Sequence, residues 1–245
     1  MATLTEFTTL TFDCYGTLID WERGILAELR PWAEAHQVNA TDAQLLEAFA
    51  EAEADCERQT PDRRYPDILA DVMRRLALRW SVKLREGEAE AFGQSVGRWP
   101  AFPDSPDALR YLKNHFKLVI ISNVDHASFA ESQRRLGVTF DRVITAQDVG
   151  SYKPSLRNFE YAIDDMRRTL GVERHQVLHT AQSLFHDVVP AKTVGLRTMW
   201  INRRRGLPGW GATPPPPSDV RPDFEVGSLG ELAALHREQL VPKQG

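Results

Sequence analysis

The stretch TFDCYGTLIDW, residues 11–21, places an aspartate directly after a short apolar run. The run LTFD is typical of a buried strand that ends at Asp13, and the pair Gly16-Thr17 is typical of a tight turn. An aspartate at this position could bind a metal, attack an electrophile or cap the turn. Many loops of this kind carry a second acid two residues later, where this chain has Tyr15.

A long helical segment follows this first strand. From about Trp21 to Trp99 the apolar residues recur at helical spacing and no convincing strand occurs. The sequence TDAQ, from Thr41 to Gln44, is a capping box that predicts the start of one helix. Two apolar stripes in this segment indicate core packing; their members are Leu45, Ala48, Phe49 and Ala52, then Leu69, Val72, Met73, Leu76 and Trp80.

Strands and helices alternate after residue 100. The runs KLVIIS, RVITA, QVLHTA and LRTMWIN predict strands, and the sequences between them predict helices. Ser105 and Pro106 predict an N-cap and first helical position, and Gly137 and Gly171 predict helix ends. The segment LFHDVVPAKTVG predicts one short helix. This pattern predicts an α/β fold with a doubly wound parallel, Rossmann-like sheet.

Polar residues follow each predicted strand, at the sheet edge where ligands of such folds bind. Asp13 follows the first strand, Ser122 and Asn123 follow KLVIIS, and Lys153 follows RVITA. A fourth cluster follows QVLHT and contains Gln182, Ser183 and Asp187. We therefore expect four loops to meet in one crevice beneath the helical segment.

Four motifs carry a resemblance to a known family. The sequences FDCYGTL, IISNVD, SYKP and AQSLFHD resemble, in order, the four motifs of the haloacid dehalogenase superfamily. The helical segment is similar to the cap of that family. The resemblance implies a Rossmann-like core of residues 1–20 and 100–245 and a helical cap of residues 21–99.

Two departures point to a subfamily. Tyr15 and the pair Ala181-Gln182 stand where phosphatases of the superfamily carry acids that bind magnesium. The chain instead resembles the L-2-haloacid dehalogenases, which use no metal. That resemblance implies a hydrolytic dehalogenase of short-chain 2-haloacids, a small-molecule substrate, no cofactor and a homodimer.

The resemblance also implies roles for the catalytic residues. Asp13 would attack the carbon that bears the halogen and form an aspartyl ester, which water then hydrolyses. Lys153 would keep Asp13 ionised, Asp187 would balance Lys153 and orient the water, and Thr17 would fix Asp13 by a hydrogen bond. Each residue also has a simpler explanation: a turn former, a solvated loop lysine or a first-turn helix acid.

The remaining site residues would bind substrate. The backbone N–H groups of Cys14 and Tyr15 would form an oxyanion hole, and the Cys14 side chain would turn into the sheet interior as a small apolar group. Ser122 and Asn123 would contact the carboxylate and the halide, although they could also cap the next helix. Gln182 and His186 complete the set, and a lone histidine is often structural.

The halide site is the part of the resemblance that fails. The family carries an arginine in the first part of the cap, but no lysine or arginine lies between Arg30 and Arg58. Candidate replacements are Asn123, a protonated His186 and the edge of Phe49; Arg58, Arg63 and Arg64 could also fold inward. Phe159 stands where the family places a tyrosine.

Composition excludes several classes. The 245 residues carry a formal net charge of −4, which gives no reason to expect nucleic acid or a membrane surface as partner. Two cysteines, Cys14 and Cys56, in no metal-like spacing fit a cytoplasmic protein. The N-terminal MATLTEFTTL does not read as a signal peptide, and no apolar run is long enough to span a bilayer.

Three functions therefore stay open at this point. The first is the dehalogenase, and the second is a related hydrolase that acts on another electrophilic carbon, such as a strained ring beside a carboxylate. The third is a non-catalytic binding protein, against which the intact Asp13 and Lys153 argue. A phosphatase ranks below these because two acids are missing.

Overall fold

The computed structural model describes residues 3–217 and 219–240. Within them, six parallel strands form one sheet in the order β3-β2-β1-β4-β5-β6. The strands are β1 (Thr9–Phe12), β2 (Lys117–Ser122), β3 (Arg142–Thr145), β4 (Val177–Ala181), β5 (Arg197–Ile201) and β6 (Phe224–Val226). The doubly wound, Rossmann-like architecture is confirmed. The strand β6 was not predicted, because three residues after a Pro-rich loop are too short to show a strand pattern.

Four helices lie between β1 and the next α/β unit: α1 (Trp21–Ala35), α2 (Asp42–Gln59), α3 (Tyr65–Arg79) and α4 (Glu88–Gly93). The helical character of this segment is as predicted. The capping box is present, because Gln44 N–H donates to the Thr41 hydroxyl at 3.3 Å and Thr41 N–H donates to Gln44 Oε1 at 2.9 Å. The division into a core and a cap at residues 20 and 100 stays a prediction.

The other helices follow or connect the strands. They are α5 (Ser105–Lys113), α6 (His126–Leu136), α7 (Ala146–Val149), α8 (Leu156–Leu170), α9 (Val189–Thr193) and α10 (Leu229–Leu240). The predicted stops are confirmed, since Gly137 and Gly171 follow α6 and α8 with φ angles of 68° and 65°. The predicted start of α5 is one residue off, because Asp104 is the N-cap and Ser105 is already helical.

The segment after β4 is not the single helix that was predicted. Residues Leu184–Val188 form a π-helical turn, and α9 begins only at Val189. Pro190 has no N–H to donate, so a continuous α-helix would lose a hydrogen bond at this point. Wider turns of this kind are frequent at functional sites.

The core covers both faces of the sheet. Along β2, Leu118 and Ile120 pack into one apolar cluster, whereas Val119 and Ile121 pack into a second cluster on the opposite face. This alternation follows from the two-residue period of a strand. No helix within residues 3–217 and 219–240 is long and apolar enough to cross a membrane.

Candidate active site

Asp13 leaves the end of β1 at the edge where the loops after the strands meet. The turn requires a glycine, because Gly16 has a φ of 89° and an added Cβ would lie 2.9 Å from Trp21 Nε1. The Thr17 hydroxyl donates to Asp13 Oδ2 at 2.7 Å and accepts from Gln182 N–H at 2.9 Å. Thr17 therefore lies where it was predicted, against Asp13, and ties the first loop to the fourth.

Lys153 is buried at the centre of the site. Its Nζ lies 2.9 Å from Asp13 Oδ1, 2.6 Å from Asp187 Oδ1 and 3.0 Å from the Ile121 carbonyl oxygen. Burial lowers the pKa of Lys153, but the carboxylates of Asp13 and Asp187 outweigh this and raise it above its ordinary value. The structure thus brings Asp13, Lys153 and Asp187 together, and all three ammonium protons have acceptors.

Asp187 has a second partner that the sequence reasoning missed. His179, on β4, lies with Nε2 3.0 Å from Asp187 Oδ1 and with Nδ1 2.9 Å from the Thr11 hydroxyl. The sequence feature that could have identified His179 is the presence of a histidine in an otherwise apolar strand. Asp187 Oδ2 is buried and has no hydrogen-bond partner among the described residues, so this oxygen is free to accept from a water or a ligand.

The two carboxylates respond differently to this environment. Burial raises the pKa of Asp13, and the neighbouring Asp187 adds to the increase, while Lys153 and Thr17 counteract it. Burial also opposes ionisation of Asp187, but Lys153 and His179 more than compensate and hold the pKa of Asp187 below its usual range. Asp13 is therefore a desolvated carboxylate that depends on Lys153 for its charge.

The loop after β2 is less exposed to the site than predicted. Asn123 lines the cavity, but its Nδ2 donates to both Glu57 carboxylate oxygens at 3.2 Å and to the Lys153 carbonyl at 3.0 Å. Its Oδ1 accepts from Lys153 N–H at 2.7 Å. The Ser122 hydroxyl is buried, has no hydrogen-bond partner among the described residues and does not line the cavity.

Cys14 and Tyr15 present different groups to the site. The Cys14 side chain is buried in the core, and burial raises the pKa of its thiol well above the ordinary value. The Tyr15 ring lines the cavity, while its hydroxyl lies 2.9 Å from the Ser132 hydroxyl. The backbone N–H groups of both residues form no hydrogen bond to any described part of the chain.

Only some side chains of the fourth loop, which follows β4, line the cavity. The Gln182 side chain accepts from the Thr213 hydroxyl at 3.3 Å and lies outside the cavity. Ser183 and His186 line the cavity, and His186 Nδ1 lies 3.2 Å from the Ser183 hydroxyl. Burial lowers the pKa of His186 to about 4. The hypothesis that a protonated His186 receives the halide is therefore wrong, because the ring is neutral at neutral pH.

The cavity itself has a volume of about 30 Å³ in this conformation. From the sheet side it is lined by Asp13, Tyr15, Asn123, Lys153, Ser183, His186 and Asp187, and from the helical segment by Trp21, Glu53, Glu57 and Tyr65. A wider pocket of about 420 Å³ shares Glu57, Lys153 and His186 with it.

The side of the cavity that the helical segment forms, hereafter the wall, contains two glutamates that were not predicted. Glu53 and Glu57 lie on α2 and are 3% and 5% exposed. They follow Phe49 at intervals of four residues and therefore lie on the same buried face of the helix. Acidic residues on a stripe that was predicted to be core were the sequence signal that could have identified them. Burial raises the pKa of Glu53 to about 8 and raises the pKa of Glu57 well above its ordinary value.

The other predicted halide contacts are not in the cavity. Phe49 is fully buried behind the wall, with its ring edge-on to Trp21 at 6.0 Å. Arg58 pairs with Asp55 at 2.6 Å and lines the wider pocket but not the cavity. Arg63 pairs with Asp71, and neither Arg63 nor Arg64 lines the cavity. Phe159 is a core residue that packs edge-on against His179.

The donor set does not suit a metal ion. Among residues 3–217 and 219–240, no group of three or more His, Cys, Asp or Glu side chains is arranged to hold one. The space between Asp13 and Asp187 is occupied by the Lys153 ammonium, and Gln182 contributes no carboxylate. Magnesium prefers several carboxylate and other oxygen ligands around one point.

The chain is similar to known hydrolases in sequence and in fold. A family model described as haloacid dehalogenase-like hydrolase matches residues 7–191. An (S)-2-haloacid dehalogenase of Burkholderia cepacia is 26% identical over 91% of this chain and 92% of its own length. A pyrimidine 5'-nucleotidase of Escherichia coli is 26% identical over 54% of each chain. The L-2-haloacid dehalogenase structure from Xanthobacter autotrophicus superposes with a TM-score of 0.73 at 20% identity, over 94% of this chain and 98% of that one.

Proposed function

The chain belongs to the haloacid dehalogenase-like hydrolases, and within this family we propose that it is a metal-independent hydrolytic dehalogenase of short-chain 2-haloacids. It is a hydrolase whose relatives include (S)-2-haloacid dehalogenases. The proposal specifies the reaction: a haloacetate or L-2-haloacid is converted to the 2-hydroxy acid and halide through an ester on Asp13.

The observation that carries the proposal is the setting of Asp13. One carboxylate oxygen accepts from Thr17 and the other from Lys153, and the group faces a small cavity. A carboxylate is a weak nucleophile in water, and removal of water strengthens it. Lys153 keeps the buried Asp13 carboxylate ionised, and an ionised oxygen retains a lone pair that can attack the carbon.

In the first step, a carboxylate oxygen of Asp13 attacks the carbon that bears the halogen. The carbon–oxygen bond forms as the carbon–halogen bond breaks, and the halide leaves with the bonding electrons. The product of this step is an ester between Asp13 and the substrate. Asp13 and Lys153 then no longer form an ion pair, so Lys153 is balanced by Asp187 alone.

In the second step, water attacks the carbonyl carbon of the ester. Asp187 Oδ2, which has no hydrogen-bond partner within residues 3–217 and 219–240, would accept a hydrogen bond from that water. The free N–H groups of Cys14 and Tyr15 would stabilise the oxyanion that forms. Asp187 takes one proton of the water as the new bond forms and returns it to the oxygen of the hydroxy acid as the intermediate collapses. The second proton of the water passes to solvent, which restores the Asp13 carboxylate.

The side chains that line the cavity support a reaction that needs no metal ion. Phosphatase relatives exist, as the nucleotidase similarity shows, but a phosphatase needs an acid to protonate its leaving group, and Tyr15 stands at that position. The Tyr15 hydroxyl is committed to Ser132 and does not face Asp13. Turnover of phosphate esters is therefore expected to be absent.

The helical segment 21–99 is proposed to act as a cap that opens for the substrate. The cavity of about 30 Å³ holds about one water molecule, so a haloacid enters only when α2 moves away from the sheet edge. A closed cap would then exclude bulk water from the displacement step. A homodimer and a cytoplasmic location, which the sequence led us to expect, also remain predictions.

The proposal is tested by one isotope experiment. A single turnover with excess enzyme in heavy-oxygen water should place the label in Asp13, since water attacks the carbonyl of the enzyme's own ester. Label that appears first in the product would mean direct attack by water. Asp13→Asn should lose essentially all halide release, whereas exposed Asp164→Asn, on α8, should retain it. A panel of haloacetates and 2-halopropionates from which the wild type releases no halide would reject the assignment.

A further inference from the structure

The departing halide must be received by the wall that faces Asp13. In displacement at carbon, the leaving group departs on the side opposite the nucleophile. Asp13 belongs to the sheet side of the cavity, and the opposite wall comes from the helical segment, where α2 contributes Glu53 and Glu57. A hydrogen-bond donor on that wall would stabilise the charge that develops on the halide.

The charged and amide donors of the cavity are already hydrogen-bonded, and the histidine lies on the same side as Asp13. Lys153 directs its three protons to Asp13, Asp187 and the Ile121 carbonyl. Asn123 Nδ2 is bound to Glu57 and to the Lys153 carbonyl. His186 Nε2 has no partner among the described residues, but His186 lies on the sheet side of the cavity with Asp13 and therefore not opposite the nucleophile. Among the described residues, no arginine side chain lines this cavity.

Glu53 is the acid on this wall with an uncommitted oxygen. It is 3% exposed, and the Tyr65 hydroxyl donates to its Oε1. Its Oε2 forms no hydrogen bond to any residue that the structure describes, whereas both oxygens of Glu57 accept from Asn123. A proton on Glu53 Oε2 would therefore be free to point into the cavity.

We propose that Glu53 is the leaving-group donor of this enzyme: as a neutral carboxylic acid, it donates a hydrogen bond from Oε2 to the halide as the carbon–halogen bond breaks. This inference rests on the proposed function. The proton stays on Glu53, the halide leaves with the electron pair, and no further reactant is needed. Glu53 thereby supplies the interaction that a cation would otherwise provide.

The charges around the cavity favour the neutral form. Besides Tyr65, the titratable groups that face it are Asp13, Tyr15, Glu57, Lys153, His186 and Asp187. Burial raises the pKa of Glu53 to about 8, the Tyr65 hydrogen bond lowers it, and the nearby Asp13 raises it. Lys153 is the single cation of this lining, so an ionised Glu53 would also repel an anionic haloacid.

A neutral acid discriminates between halides. Fluoride is the strongest hydrogen-bond acceptor of the series and bromide is much weaker, so the donor matters most when fluoride leaves. If Glu53 donates to the leaving halide, the loss of rate on its removal should depend on the halogen. A purely structural glutamate would not produce this dependence.

The test compares three variants over a pH series with fluoro-, chloro- and bromoacetate. Wild-type kcat/KM should fall above pH 8, where Glu53 loses its proton. Glu53→Gln, which donates at every pH, should stay within about tenfold of the wild type at pH 7 and lose this alkaline fall. Glu53→Leu should lose about 10²-fold with chloroacetate, more with fluoroacetate and less with bromoacetate. Glu47→Gln, at an exposed position of α2, is the matched control and should keep the wild-type profile.

A second measurement does not depend on turnover. The infrared spectrum of the wild type minus that of Glu53→Gln should contain the carbonyl band of a protonated carboxyl at pH 7, and this difference band should disappear as the pH rises past about 8. Absence of the difference band at pH 7 would show that Glu53 is ionised and would overturn the inference. So would an alkaline fall that persists in Glu53→Gln, or an equal loss for all three halogens in Glu53→Leu. If the wild type releases no halide, the proposed function fails, and the band alone then decides whether Glu53 is a neutral acid.

Discussion

Lys153 and Asp13 form a buried ion pair in which Nζ lies 2.9 Å from Oδ1, on side chains that are 2% and 9% exposed. The lysine shares its charge with Asp187, whose Oδ1 lies 2.6 Å away. One cation thus serves two buried carboxylates. Removal of that cation would leave both without a counter-charge, which is the most unfavourable change that a buried pair can undergo.

Lys153→Met should therefore lower both activity and stability. We expect kcat for haloacetate to fall by at least about 10²-fold, because Asp13 is then protonated at neutral pH. The free energy of unfolding should fall by about 3–5 kcal/mol, as measured by urea denaturation. Lys113→Met removes an exposed pair with Asp141 and should cost about 1 kcal/mol or less. Wild-type kcat in Lys153→Met would contradict the role.

The acid side of the pH profile should report Asp13. The nucleophile attacks only when ionised, and burial raises the pKa of Asp13 above the usual carboxyl range. Activity should consequently rise with pH through a value higher than that of an ordinary aspartate. Thr17→Val removes a hydrogen bond that lowers this pKa, so it should move the rise to still higher pH. Thr193→Val, whose hydroxyl only bonds to the Val189 carbonyl of its own turn, should not move it.

Asp187→Asn should separate the two chemical steps. The variant keeps an oxygen near Lys153 but weakens the acceptor for the hydrolytic water, so ester hydrolysis should slow by about 10²-fold or more. The alkylated enzyme should then accumulate, and its mass should exceed that of the free protein by the substrate fragment. Intact-protein mass spectrometry after rapid mixing measures this. A slow variant without any adduct would place the role of Asp187 in ester formation instead.

The parallel sheet and the positions of Asp13, Lys153 and Asp187 at its edge could be predicted because both depend on local patterns. Alternating strands and helices predict a parallel sheet, and residues that follow parallel strands meet at one edge. Thr17 could be placed because it is four residues from Asp13. These relations need no knowledge of long-range packing.

The acidic wall and the neutral histidine could not be predicted in the same way. Glu53 faces Asp13 only because α2 packs over the sheet edge, and nothing local to either residue specifies that angle. A protonated His186 was one candidate for the halide site, but the charge of this ring depends on burial, which lowers its pKa to about 4. The strand β6 escaped detection because three residues carry too little pattern.

Exhaustive chelation should leave activity unchanged. The carboxylates of Asp13 and Asp187 are bridged by Lys153, and no other acid joins them on the sheet side of the cavity. After dialysis against a chelator, the rate of halide release should equal that of the untreated enzyme within error, and added magnesium should not increase it. The same preparation should not hydrolyse an aryl phosphate. Magnesium-dependent phosphate release would support the phosphatase hypothesis instead.

Tyr65→Phe should move the alkaline fall of kcat/KM to higher pH, as expected if the protonated form of Glu53 is the active one. The Tyr65 hydroxyl donates to Glu53 Oε1 and lowers the pKa of that carboxyl. Its loss should raise this pKa, and because the protonated form is the active one, kcat/KM should fall about one pH unit later than in the wild type. Tyr111→Phe, which removes a hydroxyl that contacts His236 far from the cavity, is the control and should not shift the profile. In Glu53→Gln with Tyr65→Phe the fall should be absent. An alkaline fall that stays at its wild-type position in Tyr65→Phe would mean that the fall reports a group other than Glu53.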